Sequence, residues 1–166
     1  DPNGINMSSR RITISTAGVI SRIEEFTKSK EKFKLAISLN GTTNEQRTSI
    51  MPINIKNSLD ELLNVARKYT ETVNRWLTFE YVMLKEINDS VEDAKRLLSM
   101  LAGMKKCKLN VIPYNEIDGE FRRPDKDQIE NFVIALRPAK FPITVRWSKG
   151  TDIDAGCGQL ATRNQV

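Results

Sequence analysis

The sequence predicts an α/β protein built around a parallel β-sheet. Apolar periodicity along the 166 residues switches repeatedly between the pattern of a strand and that of a helix. The two patterns alternate through four units, which is typical of right-handed β-α-β crossovers. Four or five such units are too few for a closed barrel of about 250 residues. We therefore expect either an open doubly wound sheet or part of a barrel.

Five strands are predicted from short apolar runs that are rich in β-branched residues. They cover residues 11–16, 34–39, 77–84, 107–112 and 143–147. The second run, KLAISL, is mostly apolar, as expected of a strand that is buried on both faces of a parallel sheet.

Four helices between these strands are predicted from apolar residues at helical spacing and from residues that favour helix starts. The second helix has the clearest start, because residues 58–61 have the S-x-x-E form of a capping box. Ser90 is expected to cap the third helix, and Asp125, after Pro124, the fourth. The inward faces comprise Val19, Ile20, Ile23 and Phe26 in the first helix, Leu59, Leu62, Leu63, Ala66, Tyr69 and Val73 in the second, Val91, Ala94, Leu97, Leu98 and Leu101 in the third, and Ile129, Phe132, Val133 and Leu136 in the fourth.

The composition excludes several classes of chemistry. The chain has no histidine and two cysteines, Cys107 and Cys157. Ser-His-Asp and Cys-His catalytic groups, histidine-bound metals and four-thiolate zinc sites therefore cannot form from this chain. The cysteines form no close pair, and no apolar run is long enough to span a bilayer. We expect a cytoplasmic protein with no membrane contact.

The chain is mildly basic, with 26 Lys and Arg against 21 Asp and Glu. Residues 137–149 include several basic side chains and no acid, and Tyr114, Phe121 and Trp147 are aromatic residues in the same part of the chain. Such groups can bind an RNA backbone and stack a base. Scattered basic residues are more often solubilising charge, so both interpretations stay open.

Polar, uncharged residues occur at the ends of several predicted strands. Ligands of parallel α/β folds bind at the carboxyl ends of the strands, so these positions are candidates for a binding site. Hydroxyl and amide groups suit the ribose and amino-acid portions of a nucleotide-like ligand. Ser and Asn also end strands because they form turns well, which leaves a purely structural interpretation open. The candidate positions are residues 15–16, 38–40, 85–88, 113–115 and 148, which include Ser15, Ser38, Leu39, Asn40 and Asn115.

Residues 148–166 form a polar tail in which Cys157 lies between Gly156 and Gly158. Glycines permit close approach of the backbone to a ligand, so this thiol is either a functional group or an incidental one. Cys107 begins an apolar strand and is expected to be a small buried apolar residue. The chain contains no G-x-x-x-x-G-K phosphate loop.

Five blocks of the sequence resemble the RlmN family of radical S-adenosylmethionine (SAM) adenosine C2 methyltransferases. The blocks are NGINMSSRRITISTAG (3–18), LAISLNGTTNEQRTSIMPIN (35–54), TFEYVMLKEINDS (78–90), CKLNVIPYN (107–115) and RWSKGTDIDAGCGQLA (146–161). The resemblance implies a partial β/α barrel of the radical-SAM type, of which residues 1–166 are roughly the C-terminal four to five units. It implies SAM and a [4Fe-4S] cluster as cofactors, and 23S ribosomal RNA and tRNA as substrates.

The resemblance also implies roles for individual residues. Ser15, Asn115 and the segment formed by Ser38, Leu39 and Asn40 would contact SAM. Cys157, in segment 148–166, would be the catalytic cysteine that carries the methyl group. Asn40 stands where family members usually have histidine. The cluster-binding cysteines, the Gly-Glu-Pro motif and a second catalytic cysteine are not in this chain, which we interpret as the latter part of the enzyme and as inactive alone.

Other interpretations stay open at this stage. A related branch of the family methylates C8 of adenosine and shares these motifs. Alternatively, a half-barrel of this kind could bind RNA or another partner without catalysis. Its exposed edge favours association, although the sequence indicates no particular oligomeric state. An unrelated small-molecule enzyme is disfavoured, because the chain offers few groups for acid/base or metal chemistry.

Overall fold

Five parallel strands form one sheet in the structure, a computed structural model that describes residues 11–29, 33–73, 75–116 and 119–146. The strands are β1 (Thr13–Thr16), β2 (Lys34–Ser38), β3 (Leu77–Met83), β4 (Cys107–Pro113) and β5 (Ile143–Val145). All five strand predictions are confirmed, with ends that differ by at most two residues. Trp147 and the tail with Cys157 lie outside the described residues.

The strands adjoin one another in chain order, from β1 to β5. Leu35 on β2 is in register with Leu77 on β3, which is in register with Cys107 on β4. A doubly wound sheet reverses its strand order at a switch point, and the described part of the chain contains no such reversal. Consecutive addition of parallel strands builds a barrel, so the partial-barrel prediction is confirmed.

Helices connect the strands in the described part of the chain. They are α1 (Ile20–Lys28), α2 (Asn44–Ile50), α3 (Leu59–Thr72), α4 (Val91–Leu101) and α5 (Lys126–Ala135), with a short 3-10 helix, Pro52–Ile55, before α3. The four predicted helices correspond to α1, α3, α4 and α5. Within the described residues, none of the helices has the length and apolar character needed to cross a membrane.

The core lies between one face of the sheet and the helices. Phe79 and Tyr81 on β3 are fully buried there, together with Leu62 of α3 and Leu97 of α4. The ring of Tyr81 stacks on Phe132 of α5 with the ring centroids 5.8 Å apart. Right-handed crossovers between adjacent strands all pass over the same face, so the opposite face carries no helix from these connections.

Two capping boxes begin the longest helices. Ser58 and Glu61 form one at α3, and Ser90 and Asp93 form the other at α4, as predicted for both starts. Asp125 occupies the N-cap position of α5, but its side chain makes no capping hydrogen bond. Its carboxylate is instead paired with Lys85 at 2.8 Å, so the predicted capping role of Asp125 is wrong.

The sequence interpretation missed α2 and the 3-10 helix. The NEQRTSI segment of α2 is polar and has no apolar period, and the helix starts because the Thr43 side chain accepts a hydrogen bond from the Gln46 main chain. Val91 was predicted to face the core but is 38% exposed, because it is the first residue of α4. Cys107 is buried at the start of β4, as predicted.

Candidate functional site

The sheet face opposite the helices carries polar side chains. Alternation along β3 places Glu80 on this face, because its neighbours Phe79 and Tyr81 are buried in the core. The register aligns Glu80 with Ser38 on β2 and with Asn110 on β4. All three side chains are only half-buried. This open face therefore presents a hydroxyl, a carboxylate and an amide in one row.

The five predicted binding residues lie at the carboxyl edge of the sheet. Ser15 is exposed and precedes the last residue of β1, while Ser38 ends β2 and is followed by Leu39 and Asn40. Asn115 is buried two residues beyond β4, whose strand lies about 10 Å from β2 at the usual strand spacing. The Leu39 side chain is fully buried in the core, so only its main chain belongs to this edge.

Buried side chains hold three consecutive carbonyl groups at the end of β2. Arg47 on α2 donates from Nη2 to the carbonyl of Ser38 at 3.3 Å and from Nε to that of Leu39 at 3.0 Å. Asn88, in the loop after β3, donates from Nδ2 to the carbonyl of Asn40 at 3.0 Å. Both donors are fully buried. The segment is therefore fixed by the protein before any ligand binds.

Arg47 is a buried cation that forms no ion pair within the described residues. It also donates to the carbonyl of Ala17 at 2.7 Å and to Asn54 Oδ1 at 2.9 Å. Burial lowers the pKa of Arg47, although a guanidinium stays charged in proteins. A Cβ atom at Gly41 would lie 2.7 Å from Arg47 Cβ, so glycine is required for this approach. Arg47 thus ties the ends of β1 and β2 to α2.

Asn40 is turned towards the protein. Its backbone is in the left-handed region, with φ of 52°, which asparagine tolerates better than most residues. The side-chain Oδ1 accepts a hydrogen bond from the Val82 main chain at 2.9 Å, and Nδ2 lies 3.4 Å from Met51 Sδ. Both polar atoms of the side chain are therefore engaged within the protein.

A second buried network joins the loop after β2 to α4. The carboxylate of Asp93 accepts hydrogen bonds from Thr42 and Arg96, each at 2.6 Å, and from Gln46 at 3.0 Å. Burial by itself would raise the pKa of Asp93, but hydrogen bonds from Ser90, Thr42, Gln46 and Arg96 outweigh it and lower the pKa. The network holds the loop against α4 with a charged carboxylate at its centre.

Aromatic and basic residues flank Asn115 at the end of β4. The rings of Tyr114 and Phe121 meet edge to face, with centroids 6.2 Å apart, and Arg123 donates to the carbonyl of Tyr114 at 3.2 Å. Arg122 is exposed beside them. Two of the three aromatic residues predicted to stack a base are thus brought together, and Trp147 lies outside the described residues.

The described residues do not fit an iron–sulfur cluster but do fit a nucleoside-like ligand. They contain no group of three or more His, Cys, Asp or Glu that could hold a metal ion. Cys107 is buried at the amino end of β4, its thiol donates to the Met104 carbonyl at 3.7 Å, and burial raises the pKa of that thiol. The carboxyl edge and the open face offer hydroxyl, amide and carboxylate groups, which suit a ligand with sugar and amino-acid parts.

Sequence reasoning missed Arg47 and Glu80, whereas Asn88 is one of the strand-end positions, residues 85–88, that it singled out. Arg47 lies in a polar segment, a context that does not indicate a buried side chain. Glu80 lies within an otherwise apolar strand, TFEYVML, and this interruption is a signal that could have been used. A charged residue within a strand marks the face that does not join the core.

One solved structure is similar to this chain in both fold and sequence. A radical SAM methyltransferase from Sphaerobacter thermophilus superposes on this chain with a TM-score of 0.89 and 38% identity, over 96% of this chain and 47% of that one. The sheet and its carboxyl edge thus have the same fold as the corresponding part of that radical SAM methyltransferase. No family model matches the sequence.

The curated relatives that match this chain are RNA methyltransferases. A probable dual-specificity RNA methyltransferase RlmN from Leptospira interrogans is 42% identical over 164 residues, which is 99% of this chain and 46% of the relative. The RlmN of Pelobacter propionicus is 44% identical over 161 residues, covering 96% and 46% respectively. Along nearly its whole length this chain is similar to one part of the RlmN RNA methyltransferases. It spans about half the length of the curated relatives that it matches.

Proposed function

We propose that the protein containing this chain is a cytoplasmic radical SAM methyltransferase that adds a methyl group to C2 of adenosine in 23S ribosomal RNA and tRNA. The observation that carries the proposal is the close match in sequence and fold to RNA methyltransferases along nearly the whole chain. The polar carboxyl edge of the sheet supports it, since ligands of parallel β/α folds bind at this edge.

The proposed SAM site is the carboxyl edge of β1, β2 and β4. The hydroxyl groups of Ser15 and Ser38 and the amide of Asn115 would hydrogen-bond to the polar groups of SAM. Asn40 would contribute its main chain, because its side-chain atoms already bond to Val82 and Met51. Positions fixed by Arg47 and Asn88 would lose little conformational entropy on binding, which favours affinity.

Cys157 is the proposed methyl carrier. Its deprotonated thiol would attack the methyl group of SAM, so that a new S–CH3 bond forms, the sulfonium C–S bond breaks and S-adenosylhomocysteine leaves. A [4Fe-4S] cluster in the complete enzyme would supply the one-electron chemistry that a second SAM requires. Its cysteine ligands would come from outside this chain, since the sequence has only two cysteines.

The aromatic pair beside Asn115 is the proposed contact for RNA. Tyr114 and Phe121 offer ring surfaces, and the neighbouring Arg122 offers a positive charge for a phosphate. Chemistry on a base requires that the base leave its stack, and aromatic side chains can receive it.

The test compares two cysteine variants of the complete gene product that contains this chain, reconstituted anaerobically with iron and sulfide. Cys157→Ala should abolish RNA methylation while SAM affinity stays within a few-fold of the wild type. Cys107→Ala is the matched control and should retain methylation, because its thiol is buried at the amino end of β4. Undiminished methylation by Cys157→Ala would overturn the proposed role. Mass spectrometry that placed the methyl group at C8 would assign the protein to the C8-methylating branch instead.

A further inference from the structure

The open face contains a carboxylate that has no partner within the described residues. Glu80 is half-buried on β3, and its side chain makes neither a hydrogen bond nor an ion pair with any described residue. Lys108 lies on the same face, one row nearer the amino edge, and is not paired with Glu80. The negative charge of Glu80 is therefore not neutralised by direct contact with a described side chain.

Glu80 is next to the proposed SAM segment. It is in register with Ser38, at a strand spacing of about 4.8 Å, and its main-chain carbonyl accepts a hydrogen bond from Leu39 at 2.8 Å. Side chains of residues in register point to the same face of a sheet. A ligand that contacts the Ser38 hydroxyl on this face therefore comes within reach of the Glu80 carboxylate.

We propose that Glu80 is a specificity-determining residue that favours cationic SAM over its neutral product, S-adenosylhomocysteine. The inference rests on the proposed function. SAM carries a sulfonium and an ammonium group against one carboxylate, and loss of the methyl group removes the sulfonium charge but leaves the ribose and adenine unchanged. A fixed negative charge beside the ligand attracts SAM more strongly than the product, and so assists exchange of product for substrate.

The size of this effect follows from the charges. Unit charges about 6 Å apart at an effective dielectric constant of about 20 change a binding constant by about 100-fold. Water on a half-buried face reduces the attraction, so we expect about a tenfold preference for SAM that depends on Glu80. Asn110, on the other side of Glu80, is uncharged and adds hydrogen-bonding capacity without cancelling the charge.

The experiment measures the Kd values of SAM and S-adenosylhomocysteine for the complete, reconstituted gene product by equilibrium dialysis. Glu80→Gln keeps the shape of the side chain and removes its charge. It should reduce the ratio of SAM to product affinity by about tenfold. Glu86→Gln is the matched control, since Glu86 is exposed in the loop after β3, and it should leave the ratio unchanged. Urea unfolding of each variant should match the wild type.

The outcomes separate this inference from the function on which it rests. A wild-type protein that binds neither ligand would overturn the proposed function. If the wild type binds both ligands and Glu80→Gln leaves their ratio unchanged, this inference alone is overturned. Equally weakened binding of both ligands would mean that Glu80 contacts the ribose that the two share. A loss of stability in Glu80→Gln would mean that Glu80 has a structural role. Each of these results contradicts selectivity by charge.

Discussion

Replacing Asp93 by asparagine should lower the free energy of unfolding by about 3 kcal/mol. No orientation of the new amide satisfies every donor around this position. Oδ2 accepts from the main chain of Ser90 at 3.1 Å, and Oδ1 accepts from the Gln46 amide at 3.0 Å and from Arg96 at 2.6 Å. An amide nitrogen at either position would face at least one N–H group.

The magnitude is a sum of three contributions. Loss of the reciprocal bond to Ser90 weakens the capping box of α4 by about 1 kcal/mol. Three charge-assisted hydrogen bonds, from Thr42, Gln46 and Arg96, become neutral at a cost of about 0.5 kcal/mol each. Removing negative charge from the first turn of α4 costs about a further 0.5 kcal/mol.

Urea unfolding at pH 7, followed by far-ultraviolet circular dichroism, measures this loss. Glu61→Gln is the matched control, because Glu61 forms the same type of capping box on α3 but is exposed. We expect a much smaller loss for this control. The reasoning would be refuted if Asp93→Asn unfolded within about 0.5 kcal/mol of the wild type, or if both variants lost the same stability.

The effect of Asp93 should also depend on pH. Hydrogen bonds lower the pKa of Asp93 in the folded protein. The contribution of Asp93 to the free energy of unfolding is therefore complete above the pKa of the unfolded chain, about 3.9, and is lost as the pH falls through the folded pKa. The difference in stability between wild type and Asp93→Asn should therefore be constant near neutral pH and shrink in acid. A difference that grew in acid would contradict the assigned direction of the shift.

Two further pairs of variants test the packing. Tyr81→Phe should lower the free energy of unfolding by about 1–2 kcal/mol, because the Tyr81 hydroxyl donates to a buried carbonyl at 2.7 Å. Tyr69→Phe should be neutral or stabilising, because the Tyr69 hydroxyl is buried without a hydrogen-bond partner among the described residues. Thermal unfolding that ranked the two variants in the opposite order would contradict this reasoning. Gly41→Ala should lower the free energy of unfolding by more than about 2 kcal/mol, because the new Cβ would lie 2.8 Å from the backbone of Arg47. Gly103→Ala should cost only the backbone strain of about 1 kcal/mol, because Gly103 has φ of 71° and open space around it. Equal losses in urea unfolding would show that α2 moves freely and would contradict this reasoning.

The strands and the longer helices could be predicted because each depends on local information. A β-branched run such as that of β3 and a capping box such as that of Ser58 and Glu61 specify an element whatever surrounds it. The polar helix α2 lacks such a signal, because the element is stabilised by the burial of Arg47 against carbonyl groups of two strands. That stabilisation exists only after the sheet has formed, so periodicity cannot show it.

The candidate site was only partly predictable for the same reason. Ser15 and Ser38 were found because strand ends can be read from the sequence and the carboxyl edge follows from the parallel topology. Of the two donors that fix this edge, Asn88 lies among the predicted strand-end positions, whereas Arg47 is distant from the strands in sequence and meets the edge only through tertiary structure. The Asp125 cap failed because a lysine from the loop after β3 competes for its carboxylate.

The two faces of the sheet differ in their side chains: the face against the helices contributes to stability, and the open face carries polar groups that can contact a ligand. Parallel sheets are ordinarily covered on both faces, yet among the described residues only the face against the helices is packed with large apolar side chains. Glu80 and Asn110 on the other face make no side-chain hydrogen bond with the described residues, and their substitution should leave the core unchanged. The carboxyl edge differs, since Arg47 and Asn88 join it to the core. Changes at the edge should therefore alter both stability and ligand binding, whereas changes at Glu80 and Asn110 should alter ligand binding alone.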